Sequence, residues 1–342
     1  MAKPERHHHS HKRSRKQKII RGVLLSAVYL CVLGVIIAMM WQEKALETEP
    51  VGSLEGRFEP SLSIDWNGKR YGYRDHELNT ILLIGVDRDT LNGERTIYRS
   101  DTQADFMVLL VADRKQQTLT PVQIDRDTMA QVDIYGVLGN RSGTRTTQLC
   151  LAQAFGKTVE DNSQNTVSAV SRYLLGIPID EYFVFDMSFI NRFNELIGGV
   201  TVTIEDDLTM LDPAMQKGAT LHLTGDQAEL FVRSRMSVAD GTNASRMKRQ
   251  RTYMLGVADA LHDRVTDGEY VGALLDGIEG NYASSMNRAN VINAVCRYSA
   301  YRLMDDPLLP GTHTKGTDGF TEFHPDMEGV TERMLSLCFR EW

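Results

Sequence analysis

The chain has 342 residues, of which 42% are hydrophobic and 24% charged, and its formal net charge is −7. This length and composition fit one large domain or two small ones and exclude a wholly disordered chain. The charge is uneven, because residues 1–21 hold eight basic side chains against a single acidic one and the remainder is strongly acidic. An acidic body argues against broad nucleic-acid binding, which needs a basic face.

An uncharged apolar segment, residues 22–41, follows the basic arm. Its length is that of a helix that crosses a bilayer, and the basic residues before it predict a cytoplasmic N-terminus and an extracellular remainder. A cleaved signal peptide is the alternative, but the Ala38-Met39-Met40 sequence is a poor cleavage site. We therefore expect a single-pass anchor in the lipid bilayer of the cell membrane.

The residues after the anchor predict a mixture of strands and helices. Strands are expected at Thr80–Val86, Ala104–Ala112, Thr118–Ile124, Tyr182–Phe185 and Val200–Ile204. Helices are expected at Thr146–Phe155, Thr166–Leu175, Ser188–Leu196, Ala228–Val232 and from Arg246 past Leu261. The second and third strands flank a polar turn and predict a hairpin, so part of the sheet is antiparallel. The pattern predicts an α/β layered fold with a mixed central sheet.

Five segments follow from these patterns. We predict a basic cytoplasmic tail, a transmembrane helix, a stalk or small accessory segment with an irregular or β element, a catalytic domain, and a mainly helical C-terminal extension packed on it that becomes irregular near Gly311–Phe320. Their bounds are 1–21, 22–41, 42–76, 77–262 and 263–342.

The four cysteines are Cys31, Cys150, Cys296 and Cys338. None has the spacing of a metal site, and we interpret them as small apolar residues. A disulfide between Cys296 and Cys338 is the alternative outside the cell.

Charged residues lie at the ends of three predicted strands. Asp87 directly follows the first strand, Arg99 and Asp101 precede the second, and Arg126 and Asp127 follow the third. Positions two apart in extended chain point the same way, so Arg99 and Asp101 share a face. Because loops at strand ends gather ligands in α/β folds, these residues are candidates for a site.

A second group consists mainly of arginines. Arg233 and Arg235 follow a predicted helix, and Arg246, Arg249 and Gln250 have the spacing of one helical face. Arginine near a helix N-terminus opposes the helix dipole unless an anion binds there. The planar guanidinium can hold two phosphate oxygens, so the group predicts a phosphate or pyrophosphate site.

Nearby carboxylates suggest a divalent cation, since Mg²⁺ takes carboxylate and phosphate oxygens. Asp87 and Asp101 are the candidate ligands. The alternative for each charged residue is an ordinary surface ion pair. The surface alternative is the better interpretation for Arg114, Lys115, Lys248 and Arg251. We interpret the aromatic residues Phe183, Phe185, Phe189 and Phe193 as core residues rather than as a lipid groove.

At these residues the chain resembles the LytR–CpsA–Psr family. The resemblance runs from Asn79 to Gln250 and keeps the family's order of motifs. The matching segments are NTILLIGVD ending at Asp87, RSD at 99–101, QIDRDT at 123–128, LIGGVTVTI at 196–204, LTGDQAELFVRSR ending at Arg235, and SRMKRQ ending at Gln250.

The sequence departs from the family pattern at three positions. Asp125 stands where the family has proline, Gln148 where a lysine is common, and Asn243 where an aspartate is usual, although Asp240 could replace it. The departures leave the expected fold intact and bear on which polymer is used and on full activity.

The resemblance implies a mixed central sheet layered between helices and a specific activity. Members of the family hold a polyprenyl-pyrophosphate-linked glycopolymer in an apolar cavity and transfer the glycan phosphate to peptidoglycan, as in attachment of wall teichoic acid or capsule, with Mg²⁺ (or Mn²⁺). By this resemblance the metal is held by Asp87 and Asp101. The implied phosphate-binding residues are Arg99, Arg126, Arg233, Arg235, Arg246 and Gln250, with Asp127 a candidate to take the acceptor's proton.

Two other functions stay open. The three departures from the family pattern suggest one alternative, which is a non-catalytic sensor of polyprenyl pyrophosphate or an envelope regulator. A pyrophosphatase that uses water as the acceptor is a third.

Overall fold

The structure is a computed structural model that describes residues 60–88, 91, 102–136, 140–235 and 241–342. The predicted tail and transmembrane helix, most of the predicted stalk, Arg99, Asp101, Asp240 and Cys31 lie outside these residues. Within the ranges described, no helix combines the length and the apolar character needed to cross a membrane.

The strands of the described residues are β1 (Ser63–Trp66), β2 (Lys69–Tyr73), β3 (Leu78–Val86), β4 (Ala104–Asp113), β5 (Thr118–Ile124), β6 (Met129–Tyr135), β7 (Arg141–Gln148), β8 (Glu181–Phe185), β9 (Val200–Thr203), β10 (Thr220–Leu223), β11 (Tyr282–Ser284), β12 (Arg302–Leu303), β13 (Gly311–Lys315), β14 (Thr321–Pro325) and β15 (Phe339–Glu341). The longest of these strands are β3 to β7, and the others have two to five residues.

The helices follow mainly in the second half of the chain. They are α1 (Val159–Tyr173), α2 (Met187–Ile197), α3 (Gly225–Arg233), α4 (Asn243–Leu261), α5 (Gly268–Gly277), α6 (Arg288–Tyr298) and α7 (Met327–Cys338), with a short 3₁₀ helix at Leu149–Ala154.

The central sheet has six strands in the order β11-β8-β3-β4-β5-β12. Strands β3, β4 and β5 are antiparallel neighbours, and β8 runs parallel to β3. The predicted hairpin of the second and third strands and the mixed α/β fold are both confirmed. Since β4 runs opposite to β3 and β5, its first residues meet the last residues of both at one edge of the sheet.

Strand β3 is buried on both faces, which explains why it is almost continuously apolar. Leu82, Ile84 and Val86 pack in the main core together with buried residues of α1 and α7. Leu83 and Gly85 line a cavity on the opposite face, where residues of α2 and α4 complete the wall. The alternation of side chains from Leu82 to Gly85 therefore separates the core from the cavity. Val86 follows a register shift in the pairing of β3 with β4 and contacts both.

A small antiparallel sheet, in the order β1-β2-β15, joins the start of the described chain to its end. Strands β1 and β2 are the β element that we predict after the stalk. Pro60–Trp342 forms one compact unit, and β11 and β12, which follow residue 262, pair within the central sheet. The division that we predict between residues 262 and 263 stays a prediction.

Helix ends agree with the local sequence. Gly198 ends α2 with a φ of 88°, a left-handed conformation that favours glycine, as the Gly-Gly pair predicts. Before α3, the backbone N–H of Thr224 donates to Oε1 of Gln227 at 3.2 Å, in the capping box that the Thr-x-x-Gln spacing of residues 224–227 favours. Helix α4 begins at Asn243 rather than Arg246, so Arg246 lies within its first turn.

Two predicted segments are wrong in type. Residues 146–155 do not form one helix, because Arg141–Gln148 pairs with β6 as a strand and only Leu149–Ala154 is helical. The threonines of this segment favour a strand, which outweighs its apolar spacing. The region that we predict as irregular near residue 311 begins with β13, a fully exposed strand that pairs with β14 and carries no apolar alternation to reveal it.

Candidate active site

The charged residues after β3 and β5 meet those at the start of β4 along one edge of the central sheet. Val86 pairs with Ala104, and Met107 pairs with Ile124. Asp87, Asp105 and Arg126 lie next to these pairs in the chain, so the strand pairing brings them to the same edge. The prediction that strand ends gather the charged residues is correct for those that the structure describes.

Arg126 is held by side chains from β4 and its flank. One of its terminal nitrogens donates to Asp105, and the other donates to Gln103 Oε1 at 2.6 Å and contacts Cys150 Sγ at 3.3 Å. Its Nε lies 3.4 Å from Asp127 Oδ1 and makes no hydrogen bond among the described residues. The guanidinium is thus fixed in place while one N–H stays available.

Arg246 approaches the same carboxylate from the first turn of α4. Its Nη1 donates to Asp105 Oδ2 at 3.0 Å, so Asp105 binds two arginines, one on each oxygen. Arg246 is only 4% exposed. Its burial, together with the positive charges of Arg126 and Arg235, lowers the pKa of the guanidinium to about 10. A group in this state favours a nearby anion.

Asp127 lies between Arg126 and Arg235. Its Oδ1 accepts from Gln148 Nε2 at 3.2 Å, and its Oδ2 lies 3.8 Å from Nη2 of Arg235. Burial raises the pKa of Asp127, and the neighbouring Arg126 opposes that shift. Over the described ranges, Asp127 Oδ2 and Arg235 Nε are buried atoms that lack a hydrogen-bond partner. Such atoms are costly unless a ligand or water satisfies them.

Arg233 and Asp87 lie at the more open side of the site. Nη2 of Arg233 is 3.3 Å from Oδ1 of Asp87, and both side chains are about half exposed. Nη1 of Arg233 also lies 3.2 Å from Oε1 of Glu229, one turn earlier on α3. The end of α3 therefore carries a guanidinium to the carboxyl end of β3.

On α4, Arg249 and Gln250 make contacts that differ from those of Arg246. Arg249 donates from Nε to the carbonyl oxygen of Phe231 at 2.9 Å and also donates to that of Ser234, so it holds the end of α3. Gln250 donates to the carbonyl oxygen of Val232 at 3.4 Å and lines the cavity beside Arg246. Arg249 thus supports the turn that carries Arg233 and Arg235 into the site.

An apolar cavity of about 240 Å³ opens next to these arginines. Asp105, Arg233, Arg246 and Gln250 form its polar wall. The other lining residues are Leu83, Gly85, Val86, Phe106, Phe183, Phe185, Asp186, Met187, Phe189, Ile190, Phe193, Val232, Tyr253, Met254 and Val257. The interpretation of Phe183, Phe185, Phe189 and Phe193 as core residues alone is therefore corrected, since all four line this cavity. Phe183, Phe189 and Phe193 also pack against a small core cluster of Leu275, Ile278 and Val291.

Aromatic contacts shape the cavity wall. The rings of Phe185 and Phe189 are 4.8 Å apart, and those of Phe189 and Phe193 are 5.1 Å apart. Gly85 leaves room for this wall, because a Cβ at that position would come within 3.0 Å of Phe106 and Phe185. The result is an apolar channel with a cationic end, which suits a ligand with a hydrocarbon tail and an anionic head.

The predicted metal ligands are described only in part, since Asp101 lies outside the described residues. Asp87 presents a carboxylate whose side chain is 47% exposed. Among the residues with described positions, no group of three or more His, Cys, Asp or Glu side chains could hold a metal ion. Because Mg²⁺ commonly uses one or two carboxylates with substrate phosphates and water, Asp87 fits a cation that a bound phosphate helps to hold.

Of the three cysteines that the structure describes, Cys150 and Cys338 are buried, as small apolar residues would be, and Cys296 is half-buried. Cys150, Cys296 and Cys338 are free thiols, so the alternative of a Cys296–Cys338 disulfide is not realised. Cys150 lies beside Arg126. Burial raises the pKa of its thiol to about 11 and that of Cys338 to about 12, so neither is a ready nucleophile.

Sequence reasoning missed several residues of the site. Asp105, which binds two arginines, lies inside a predicted apolar strand, and its charge there was the signal that could have identified it. Gln103 gave no such signal. Thr321 comes from a distant hairpin and accepts from Arg235 Nη2 at 3.4 Å, which no local pattern predicts.

A family model matches most of the chain. The matching model is that of the LytR_cpsA_psr family, and the match extends over residues 42–325. It therefore includes the site-bearing strands, helices α1 to α6 and the β13–β14 hairpin.

Known proteins with similar sequences and structures agree with this match. The polyisoprenyl-teichoic acid–peptidoglycan teichoic acid transferase TagU of Bacillus cereus (strain AH820) is 26% identical over 285 residues, which cover 80% of this chain and 84% of that protein. Protein gbs0355 from Streptococcus agalactiae has a TM-score of 0.60 at 20% identity, covering 77% of this chain and 88% of that one. TagT bound to LIIa-WTA has a TM-score of 0.58 at 21% identity, covering 76% and 89%. At these identities the two structures establish likeness of fold alone.

Proposed function

The chain belongs to the LytR_cpsA_psr family, and from this premise we propose that it transfers a glycopolymer phosphate from a polyprenyl-pyrophosphate carrier to peptidoglycan. The product is an attachment of the wall teichoic acid or capsule type. The name of its relative TagU, a teichoic acid transferase that acts on peptidoglycan, supports this substrate class.

The observation that carries the proposal is the apolar cavity with arginines at one end. Arg233 and Arg246 line the cavity itself, and Arg126 shares the carboxylate of Asp105 with Arg246. A polyprenyl tail needs an apolar enclosure, and a pyrophosphate needs several guanidinium groups. Both requirements meet at this cavity.

Buried side-chain nitrogens that lack a hydrogen-bond acceptor among the described residues support binding of an anion at the arginine end of the cavity. Nε of Arg126 and Nε of Arg235 are buried N–H groups without a hydrogen-bond acceptor in the described region. Phosphate oxygens are the acceptors that such groups prefer. An anion would also offset the mutual repulsion that contributes to the lowered pKa of Arg246.

In the proposed reaction, an acceptor hydroxyl of peptidoglycan attacks the phosphorus that bears the glycan. A phosphodiester bond to the wall forms, the pyrophosphate P–O–P bond breaks, and polyprenyl phosphate leaves with the electron pair. The proton that the hydroxyl loses balances the charge on the departing phosphate. The guanidinium groups of Arg126, Arg233, Arg235 and Arg246 hold the pyrophosphate and stabilise the charge on the leaving phosphate. Gln250 and the phenylalanines of the cavity fix the carrier.

Asp87 and Asp101 would hold a divalent cation such as Mg²⁺ (or Mn²⁺), which supplies further neutralisation of phosphate charge. We assign Asp127 a positioning role. It is 2% exposed and contacts Arg126 and Arg235, so it orients arginines rather than meeting the acceptor hydroxyl.

The test is the release of polyprenyl phosphate by the purified full chain, with lipid-linked glycopolymer, peptidoglycan and Mg²⁺. We expect release by the wild type and its loss in both Asp101→Ala and Arg126→Ala. Undiminished release in both variants would contradict the proposal. Tight binding of the carrier without any release would favour the sensor, and release that does not need peptidoglycan would favour the pyrophosphatase.

We also propose that residues 22–41 anchor the chain in the cell membrane with the site on the extracellular side. The basic arm before that segment and the acidic chain after it support this orientation. Alkaline phosphatase fused after Trp342 should be active in cells, since it needs export to fold. An inactive but stable fusion would place the C-terminus in the cytoplasm.

A further inference from the structure

Asp125 is a buried carboxylate next to the candidate site, and it is 6% exposed. Its Oδ1 accepts from the backbone N–H of Asp127 and from Nδ2 of Asn243, each at 2.8 Å. Its Oδ2 lies 2.8 Å from Nε2 of His313. Both oxygens therefore have donors, as a buried carboxylate requires.

Asn243 continues this set of contacts toward α4. Its Oδ1 accepts from Nε of Arg246 at 3.1 Å and from Nη2 at 2.6 Å. Asn243 lies between the carboxylate of Asp125 and the guanidinium of Arg246. The side chain at this position must donate a hydrogen bond to the carboxylate and accept one from the guanidinium. An amide does so, whereas an aspartate would place two carboxylates together.

Arg246 is connected to a second arginine, Arg126, through Asp105. Its remaining nitrogen, Nη1, donates to Asp105 Oδ2, and Arg126 donates to the other oxygen of Asp105. An unbroken series of side-chain contacts thus runs from His313 to two arginines of the phosphate site. Of the four members between its ends, Asp125, Asn243 and Arg246 are buried, and the side chain of Asp105 is 18% exposed.

The β13–β14 hairpin supplies His313 and touches the site at a second point. The backbone N–H of Phe323 donates to the carbonyl oxygen of Asp127 at 2.8 Å, and Gln148 Nε2 donates to that of Thr321 at 2.6 Å. The rings of His313 and Phe323 are 4.8 Å apart. These contacts fix the hairpin against the segment that holds Arg126.

From these contacts we infer that His313, Asp125 and Asn243 form a relay that orients Arg246 toward the phosphate of the carrier. The inference rests on the proposed function, because it takes Arg246 to be a phosphate-binding residue. His313 is then a positioning residue of the site, contributed by a hairpin that lies more than fifty positions beyond the last motif residue, Gln250. Two of the three relay residues, Asp125 and Asn243, are positions at which the sequence departs from the family pattern.

The test uses the full chain in detergent and two probes that share a tail, farnesyl diphosphate and farnesol. Affinity for each is measured with Asn243→Asp, Asp125→Asn/Asn243→Asp, His313→Ala and His313→Gln. His324→Ala is the matched control, since His324 lies on the same hairpin, is half exposed, and contacts Thr314 and Glu322 instead. Thermal unfolding of each variant is recorded alongside.

We expect Asn243→Asp and His313→Ala to weaken binding of farnesyl diphosphate by about ten-fold or more, the usual effect of losing a hydrogen bond to a charged group. Binding of farnesol should not change. His313→Gln keeps a donor and should retain most of the affinity. The double variant again pairs one amide with one carboxylate, so it should bind more tightly than Asn243→Asp alone.

The relay is overturned if Asn243→Asp and His313→Ala bind farnesyl diphosphate as the wild type does. It is also overturned if both probes weaken equally, or if the double variant and His313→Gln recover nothing, because contacts that only maintain the fold predict those results. A wild type that binds farnesyl diphosphate no better than farnesol contradicts the relay together with the arginine site. A wild type that prefers the diphosphate but never releases polyprenyl phosphate contradicts the proposed transfer and leaves the relay supported.

Discussion

Nη2 of Arg233 lies 3.3 Å from Oδ1 of Asp87, an ion pair between residues that are 146 positions apart. The pair joins the end of α3 to the carboxyl end of β3 at the open side of the cavity. Both side chains are about half exposed, so solvent screens their attraction. The pair therefore contributes little to stability. Its effect is to place the guanidinium of Arg233 and the carboxylate of Asp87 beside the phosphate site.

Replacing Asp87 with asparagine should separate stability from activity. We expect the free energy of unfolding to change by less than about 1 kcal/mol, because the pair is exposed. Release of polyprenyl phosphate should fall by about ten-fold or more, because a candidate cation ligand is lost. Thermal unfolding and turnover are measured on the same sample over a range of Mg²⁺ concentrations. Turnover equal to that of the wild type at every Mg²⁺ concentration would exclude Asp87 as a ligand.

Replacing Arg126 with lysine tests whether the planar guanidinium is required. A lysine keeps the charge but cannot reach Asp105 and Gln103 together, so turnover should fall by about 10²–10³-fold. Lys248→Ala, on the exposed face of α4, is the control and should match the wild type. Equal turnover of Arg126→Lys and the wild type would show that only charge matters at this position.

Neighbouring residues of α4 test the cavity. Met254 lines it, whereas Leu255 does not and is 36% exposed. Met254→Trp should fill part of the space and weaken binding of a long polyprenyl diphosphate by about ten-fold or more, since overfilling a packed site costs about 1–3 kcal/mol. Leu255→Trp should bind as the wild type does. If both variants bind alike, the tail lies elsewhere.

Thiol labelling tests the description of the cysteines. At mildly alkaline pH, Cys150 and Cys338 should resist alkylation of the folded protein, because burial raises their pKa values to about 11 and about 12. Cys296 is half-buried and should react first among these three. Peptide mass spectrometry after timed alkylation measures the order. Rapid labelling of Cys150 in folded protein would mean that its pocket opens readily.

The central strands and most helices could be predicted because their signals are local. The apolar run of β3, the hairpin of β4 and β5, and the glycine that ends α2 all lie in short segments of sequence. Exposed strands such as β13 depend on their pairing partner, and no apolar alternation marks them.

The site could be predicted in its residue types but not in its connections. The strand-end and helix-face patterns identified Arg126, Arg233 and Arg246, which the fold does bring to one cavity edge. His313 could not be predicted, because its partner Asp125 lies more than one hundred positions away. Asp105 carries a local signal, its charge inside an apolar strand, but its pairing with both Arg126 and Arg246 appears only in the fold. The apolar spacing of the four phenylalanines predicts burial, but it cannot distinguish a core wall from a cavity wall.

In the proposed function, the arginines and the apolar cavity hold the two ends of one carrier. The most direct measurement is a crystal structure with a polyprenyl diphosphate and Mg²⁺ bound. We predict density for the diphosphate against Arg126, Arg233, Arg235 and Arg246, with the tail between Phe185 and Met254. A diphosphate bound at a different surface, with this cavity closed or empty of lipid, would show that the arginines and the cavity do not hold the carrier.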